Sequence, residues 1–175
     1  MWLLLDSLAG SGSVEMQDTA ASFPLTRFDA GMSYRLTQVI VTSADGSRLL
    51  RRWIDHMRWP VAPMVLADHH NEPGIFLQGL VRSMAPIVDV SLHGTEPMDD
   101  AISELLNAAA RTTTHSALVL QGYEVIHASI IHNVLARMLD YLPPSLHMFI
   151  ASAAEVPLPN IARLRVRRQL LVLTV

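Results

Sequence analysis

The chain has 175 residues, 50% of them apolar, and this length suits one domain with a sizeable core. With a net charge of −3, the chain lacks the excess of basic residues that a nucleic-acid-binding protein usually carries. All 13 basic residues are arginine. Because the chain has no cysteine, disulfides, zinc–thiolate sites and cysteine nucleophiles are excluded.

Neither a membrane helix nor a secretory signal is predicted. No stretch reaches the roughly 18 consecutive apolar residues that a membrane helix requires. A secretory signal has a basic residue before its apolar run, but the opening MWLLLD has none, and its apolar run is too short. We therefore expect a cytoplasmic protein with no membrane partner.

In chain order, residues 1–22 come first; they contain glycine and serine without hydrophobic periodicity, which predicts a flexible leader. Residues 23–175 then form one domain in which short apolar runs alternate with amphipathic helical patterns. Most runs are apolar on both faces, as the strands of a covered parallel sheet must be. The runs predict strands at 36–42, 61–67, 87–90, 117–120, 148–151 and 170–175, and the patterns predict helices near 49–57, 76–84, 98–109 and 130–139.

This alternation of strands and helices predicts an α/β fold with three αβα layers around a mainly parallel sheet. Helices are expected on both faces of that sheet. The last predicted helix should stop at Leu142, because Pro143 and Pro144 cannot continue it.

The segment 39–53, VIVTSADGSRLLRRW, has the order of a phosphate-binding loop: a buried strand, a short turn and an amphipathic helix. The pattern G-x-x-x-x-G-K-[ST] places a lysine on the β and γ phosphates, but this chain has no lysine. Arg48 could replace it, although a planar guanidinium is not equivalent to a compact ammonium. We favour a plain turn over residues 43–47, with the helix beginning at Arg48 and capped by Asp45 or Ser47.

Two long segments resemble one protein family. Residues 35–81, from RLTQVIVTSADGS to IFLQGLV, and residues 116–173, with the specific phrases LPPSLHMFIAS and PLPNIARLRVRRQL, resemble the nucleotide-binding domain of MalT-like, LuxR-type transcriptional regulators. That family belongs to the STAND group of P-loop NTPases, and the similarity runs in order along residues 23–175. The resemblance implies a P-loop NTPase-like fold and an ATP-switched signalling domain.

The resemblance also shows where the phosphate loop departs from the family pattern. The loop corresponds to Ser43, Asp45, Gly46, Ser47 and Arg48. It is a few residues shorter than the family pattern and keeps one glycine. Asp45 would place a carboxylate where polyphosphate should lie. We therefore interpret these five residues as a vestigial phosphate loop.

The second nucleotide motif departs from the family as well. In the family, two acidic residues end the strand that here ends in Gln121 and Gly122, and neither of these can supply a charged oxygen to a hard cation. Glu124 lies two positions after Gly122 and could take the place of the missing acidic ligand, but a solvated loop carboxylate is the favoured interpretation. The arginine that follows the next strand in the family is replaced by Ala153 and Ala154.

These three losses predict a degenerate STAND NTPase-like domain over residues 23–175. We expect that it does not hydrolyse nucleotide, does not bind the ATP that the family implies, and holds no metal. The predicted function is regulatory, a pseudo-NTPase module that binds a protein partner or associates with itself. One alternative is a working ATP or ADP switch with atypical ligands, and another is a DNA-binding module.

The DNA-binding alternative depends on one basic cluster, formed by Arg163, Arg165, Arg167 and Arg168. The cluster has no interleaved aromatic residues, and the chain as a whole is acidic. A solvated face or an interdomain contact is the favoured interpretation, so no nucleic-acid partner is expected through this domain.

Two pairs of histidines lie close enough in sequence to be candidate metal ligands. His69 and His70 are adjacent, so on an extended segment their side chains point to opposite faces. His127 and His132 are five positions apart, which on a helix does not match the i, i+4 spacing of zinc ligands. Neither pair predicts a metal site.

Overall fold

The computed structural model describes residues 14–17, 25–90, 92 and 96–175 as one six-stranded sheet flanked by helices. The strands are β1 (Val14–Gln17), β2 (Leu36–Ile40), β3 (Val61–Val65), β4 (Ser116–Gln121), β5 (Leu146–Ser152) and β6 (Leu170–Thr174). The helices are α1 (Thr26–Asp29), α2 (Ala44–His56), α3 (Pro73–Met84), α4 (Met98–Ala110), α5 (Ser129–Tyr141) and α6 (Ile161–Val166), with short 3-10 turns at Ala30–Ser33, Asp68–Asn71 and Tyr123–Val125. None of the helices in these ranges combines the length and the apolar character needed to cross a membrane.

All strand pairs of the sheet are parallel, in the order β1-β6-β2-β5-β4-β3. Strand β2 lies between β5 and β6, with Val39 opposite Ala151 on one side and Leu173 on the other. The carboxyl ends of β2, β4 and β5 therefore meet at one edge of the sheet, and their amino ends meet at the opposite edge. The predicted parallel sheet is confirmed.

Side chains along β4, β5 and β6 alternate between two buried clusters, one on each face of the sheet. On β4, Leu118 and Leu120 belong to the larger cluster, whereas Ala117 and Val119 belong to the smaller one. Helices α3, α4, α5 and α6 contribute to the larger cluster, and α1 and α2 contribute to the smaller one. The sheet is therefore covered on both faces, which confirms the predicted three αβα layers.

Trp53 fixes α2 against the sheet. Its ring centroid lies 4.6 Å from that of Phe149 on β5 and 5.4 Å from that of Phe28 on α1. Its indole N–H donates to Asp29 Oδ1 at 2.9 Å, so the buried ring keeps a hydrogen-bond partner. This contact sets the direction of α2, whose amino end faces the carboxyl ends of the central strands.

Residues 87–90 do not form the predicted strand. The N–H groups of Ile87 and Val88 donate to the Met84 oxygen at 2.9 and 3.0 Å, which continues the last turn of α3. Both side chains are buried, so these residues are apolar because they pack in the core, and they do not pair with a strand of the sheet. The other five predicted strands and all four predicted helices are present, and α5 ends before Leu142 as predicted.

Residues 14–17 form strand β1 and pair with β6, from Val14 opposite Leu171 to Gln17 opposite Thr174. They fall inside the predicted leader of residues 1–22, so this part of the leader belongs to the sheet. Residues 1–13 and 18–24 lie outside the described residues, and the boundary at residue 23 stays a prediction.

Candidate functional site

A cleft of about 420 Å³ opens at the carboxyl ends of β2, β4 and β5, in front of the amino end of α2. This edge of an open parallel sheet is where α/β proteins bind their ligands. Its walls come from the chain after β2, the turn after β4 and the end of β5. The lining residues are Val41, Thr42, Ser43, Ala44, Ser47, Leu50, Gln121, Gly122, Glu124, Ala151, Ser152 and Ala153.

Helix α2 begins at Ala44, four residues earlier than predicted. Ser43 is its N-cap: the backbone of Ser43 is extended, and its Oγ accepts a hydrogen bond from the Gly46 N–H at 3.1 Å. The predictions that the helix begins at Arg48 and that Asp45 or Ser47 caps it are therefore wrong. An extended serine before the first turn satisfies one of the free N–H groups of the helix, so the supposed turn is itself helical.

Gly46 makes a close contact with the end of β6. The Val175 oxygen accepts hydrogen bonds from the Thr42 N–H at 2.7 Å and from the Thr42 hydroxyl at 2.8 Å. This anchors the end of β6 beside the first turn of α2, where a β-carbon on Gly46 would collide with it. The single glycine of the segment is therefore explained by packing, without a phosphate.

Asp45 and Arg48 form an ion pair outside the cleft. Arg48 Nη1 lies 2.6 Å from Asp45 Oδ1, and the two side chains are 75% and 64% exposed. Neither residue lines the cleft, whereas Ser43 and Ser47 do. The residues interpreted as a vestigial loop therefore have three different surroundings: Ser43 and Ser47 line the cleft, Gly46 packs against Val175, and Asp45 and Arg48 pair at the surface.

The residues of the second motif lie on the cleft wall. Gln121 ends β4, and Gly122 follows with φ 75°, a left-handed conformation that favours glycine. Glu124 lines the cleft beside them, and its Oε2 accepts a hydrogen bond from the Ala153 N–H at 3.2 Å. Glu124 is thus the carboxylate that reaches the cleft, held there by the turn after β5.

Glu124 is the one ionisable side chain among the described residues that line the cleft. The other polar groups are hydroxyls, the Gln121 amide and main-chain atoms. A nucleotide polyphosphate needs cationic side chains and a magnesium ion held by protein oxygens, and a lone carboxylate repels it. The cleft residues therefore lack the cationic side chains that usually bind a nucleotide polyphosphate.

Asn71 connects the turn after β3 to the start of α5, and nothing in the sequence indicates this. Its Nδ2 donates to the Val125 oxygen at 2.9 Å, and its Oδ1 accepts from the N–H groups of His127 and Ala128 at 2.8 and 2.9 Å. The partners lie more than 50 positions away in sequence, so no local pattern marks the contact. Asn71 holds the segment that follows Glu124.

His70 and His132, two of the four candidate histidines, have polar partners within the fold. His70 Nδ1 accepts from the Ala67 N–H at 3.0 Å, and His132 Nδ1 lies 2.6 Å from the Tyr123 hydroxyl. Burial lowers the pKa of His70 and of His132, and it raises the pKa of Tyr123. No group of three or more His, Asp or Glu side chains in the described ranges is arranged to hold a metal ion.

The arginine cluster on α6 is partly paired with carboxylates. Arg163 forms an ion pair with Asp140 on α5, and Arg165 Nη2 lies 3.7 Å from Glu155 Oε1. Two of the four cationic charges therefore hold α6 against its neighbours. Arg167 and Arg168 are exposed where α6 ends.

No protein-family model matches the sequence, and no curated protein matches it either. Among solved structures, the chain is similar to Drosophila ORC bound to GC-rich DNA and Cdc6, with a TM-score of 0.55 and 11% identity over 88% of this chain and 53% of that chain. It is also similar to the ORC2 protein of Aeropyrum pernix, with a TM-score of 0.53 and 12% identity over 86% and 44% of the two chains. Cdc6p from Pyrobaculum aerophilum gives a TM-score of 0.52 and 12% identity over 85% and 43%.

These neighbours are P-loop domains, so the predicted P-loop NTPase-like fold is confirmed. At identities of 11–12% the similarity concerns the fold alone. The chain spans about half the length of the solved chains that it matches.

Proposed function

We propose that this chain is a non-catalytic regulatory domain with a P-loop NTPase-like fold, which acts by binding a protein partner or a second copy of itself. The observation that carries the proposal is the charge of the cleft, where Glu124 is the one ionisable side chain among the described lining residues. The segments 35–81 and 116–173 support a relationship to the nucleotide-binding domain of MalT-like, LuxR-type regulators.

The start of α2 supports the loss of nucleotide binding. In a phosphate loop, glycines and a lysine surround the phosphates before the helix begins. Here Ser43 ends the connection from β2, and its hydroxyl oxygen accepts a hydrogen bond from the Gly46 N–H. This N–H group is therefore not free to donate to a phosphate. The first cationic residue of α2, Arg48, pairs with Asp45 at the surface.

Exposed apolar side chains support a role in protein contacts. Val65 is 66% exposed on β3, the strand at one edge of the sheet, and edge strands can pair with another chain. Tyr141 on α5 and Val166 on α6 are 72% and 83% exposed. The Drosophila neighbour was solved bound to Cdc6 and DNA, which supports a domain of this fold working within an assembly.

A nucleotide switch with atypical ligands is the second candidate. It is favoured by the position of the cleft, which lies in front of the amino end of α2 and is lined by Ser43, Ser47 and Glu124. Serine hydroxyls and one carboxylate are possible ligands of magnesium. This candidate requires Glu124 to hold the metal.

Calorimetric titration with Mg-ATP and then Mg-ADP, up to millimolar ligand and together with thermal shift, separates the two candidates. We expect no heat and no change in melting temperature. Micromolar binding would contradict the proposal. If that binding were lost in Glu124→Gln but kept in Glu104→Gln, whose side chain is exposed on α4, the nucleotide switch would be supported.

Self-association is measured by sedimentation velocity over a series of protein concentrations. A dimer that Val65→Lys dissociates would support contact through the β3 edge, because a charged side chain on an edge strand opposes pairing with another strand. A monomer at every concentration would exclude self-association and leave binding to a different protein.

A further inference from the structure

A second cavity lies at the edge of the sheet opposite to the cleft. It has a volume of about 240 Å³ and is located at the amino ends of β2, β5 and β6. Arg35, directly before β2, and Arg168, between α6 and β6, both line it, together with Pro143 and Pro144 after α5. Because all the strands are parallel, this cavity is separate from the cleft, and its chemistry is independent of the proposed function.

Arg35 is held in place by main-chain oxygens at the end of α5. Its Nη1 donates to the Leu139 oxygen at 2.6 Å and to the Asp140 oxygen at 3.1 Å. The Asp140 carboxylate is itself engaged by Asn160 and Arg163. A guanidinium has five N–H donors, so two contacts to carbonyl oxygens orient it and leave donors for a ligand.

Arg168 adopts a backbone conformation that usually belongs to glycine. Its φ is +55°, and it is the one residue other than glycine with a positive φ in the described part of the chain. The N–H of Arg168 donates to the Arg165 oxygen, and the N–H of Gln169 donates to the Leu164 oxygen, so position 168 ends α6 where a left-handed glycine is common. An arginine at such a position is strained, and strained residues concentrate at ligand sites.

The charges around the cavity are of one sign. Among the described residues that line it there are two arginines and no carboxylate. Guanidinium groups bind oxyanions through pairs of parallel N–H···O bonds. The volume is below the range of about 300–1,000 Å³ typical of pockets for drug-sized ligands, which favours one small ligand.

We propose that this cavity binds a small tetrahedral oxyanion between Arg35 and Arg168, either free phosphate or the phosphate group of a small phosphomonoester. In this arrangement Arg35 is the fixed guanidinium, and Arg168 is the second one, presented by its left-handed backbone. The binding of the anion offsets the strain at position 168. This function of the arginine side chain explains why the position is not occupied by glycine.

Phosphate binding to the whole chain is measured by calorimetric titration with inorganic phosphate at constant ionic strength. The decisive variant is Arg168→Gly, which removes the guanidinium but accepts the same backbone conformation. Arg167→Ala is the matched control, because Arg167 is also exposed at the end of α6 but does not line the cavity. We expect Arg168→Gly to weaken binding by at least about tenfold, since hydrogen bonds to charged groups are strong, and Arg167→Ala to stay within about twofold of the wild type.

Thermal melting without phosphate provides an independent readout. Arg168→Gly should raise the melting temperature because it removes the strained arginine, and added phosphate should raise the melting temperature of the wild type by more than that of this variant. The proposal is overturned if the wild type does not bind phosphate at tens of millimolar. Equal phosphate affinity in Arg168→Gly and the wild type, or equal weakening in both variants, would also overturn it.

Two further titrations identify the kind of anion. Glycerol 1-phosphate that binds more tightly than inorganic phosphate would support a phosphomonoester as the ligand, and the reverse order would support free phosphate. Acetate that binds at least as tightly as phosphate would overturn the assignment to a tetrahedral oxyanion, because the site would then prefer carboxylates.

Discussion

Gly46 lies so close to Val175 that a β-carbon at position 46 would be 2.8 Å from the carbonyl carbon and oxygen of Val175. Real β-carbons do not approach other atoms this closely, so the first turn of α2 and the end of β6 can meet only through a glycine. The glycine that most resembles a phosphate-loop residue in the sequence is therefore required by a contact between α2 and the end of β6. Its presence is not a sign of nucleotide binding.

Gly46→Ala is expected to reduce the free energy of unfolding by about 1–3 kcal/mol, because the added methyl group overpacks a contact with main-chain atoms that cannot move away easily. The measurement is urea unfolding of both variants and the wild type. Gly74→Ala is the matched control, because a β-carbon at that position in the first turn of α3 meets nothing within 4 Å. The control should be more stable by up to about 1 kcal/mol, and a Gly46→Ala protein as stable as the wild type would contradict the contact.

Ser43→Ala should lower the free energy of unfolding by about 1 kcal/mol, because it removes the acceptor for the Gly46 N–H. Ser47→Ala, in the second turn of the same helix, should change stability by no more than about 0.5 kcal/mol. Urea unfolding of the two variants side by side is the test. If Ser47→Ala had the larger effect, the cap would be Ser47, one of the two caps predicted from the sequence, and the start of α2 at Ala44 would be wrong.

Hydrophobic patterns predicted the framework of this fold because four of its strands, β2, β4, β5 and β6, are buried on both faces. The run 117–120 is apolar at every position because its side chains alternate between two core clusters, so each of them is buried. The stop of α5 was predictable from Pro143 and Pro144, whose chemistry is local. Ile87 and Val88 misled the prediction because a buried loop and a buried strand have the same composition.

The candidate site was less predictable, since its geometry depends on contacts that are distant in sequence. The segment at Ser43, Asp45 and Ser47 contains three residues that can cap a helix, and their order alone does not select one of them. The choice follows from where β2 ends, which is fixed by hydrogen bonds from Thr42 to Val175. The position of Glu124 in the cleft likewise depends on Ala153, in a different loop.

Placing an ammonium at position 45 should not create nucleotide binding. In Asp45→Lys, the new side chain starts from a position that does not line the cleft, so titration with Mg-ATP is expected to give no heat. Arg48→Ala should change the free energy of unfolding by no more than about 0.5 kcal/mol, because the ion pair with Asp45 is exposed. A gain of Mg-ATP affinity in Asp45→Lys would show that this turn can still approach phosphate.

The protein should become less stable as the pH falls below about 7. Burial lowers the pKa values of His70, His132 and His147 from the ordinary 6.5, so the unfolded chain takes up protons first as the pH falls. The stabilisation from these neutral histidines is complete above pH 6.5 and is lost progressively as the pH falls toward their folded pKa values. Urea unfolding at pH 7.5 and 5.5 measures the loss, and NMR titration assigns it to individual rings. Equal stability at both pH values would contradict the burial of these side chains.

Asn71→Ala is expected to lower the free energy of unfolding by about 1–3 kcal/mol, because it leaves the Val125 oxygen and two main-chain N–H groups without their partner. Asn107→Ala, on an exposed position of α4, is the matched control and should stay within about 0.5 kcal/mol of the wild type. Hydrogen exchange at the His127 and Ala128 amides should be faster in Asn71→Ala only. Asn71→Asp keeps the acceptor for these two amides but loses the donor to Val125, so an intermediate loss of stability is expected. If the aspartate and alanine variants lost equal stability and exchanged equally fast, the two amides would not depend on the Asn71 oxygen, and the connection between this turn and the start of α5 would have to be made elsewhere.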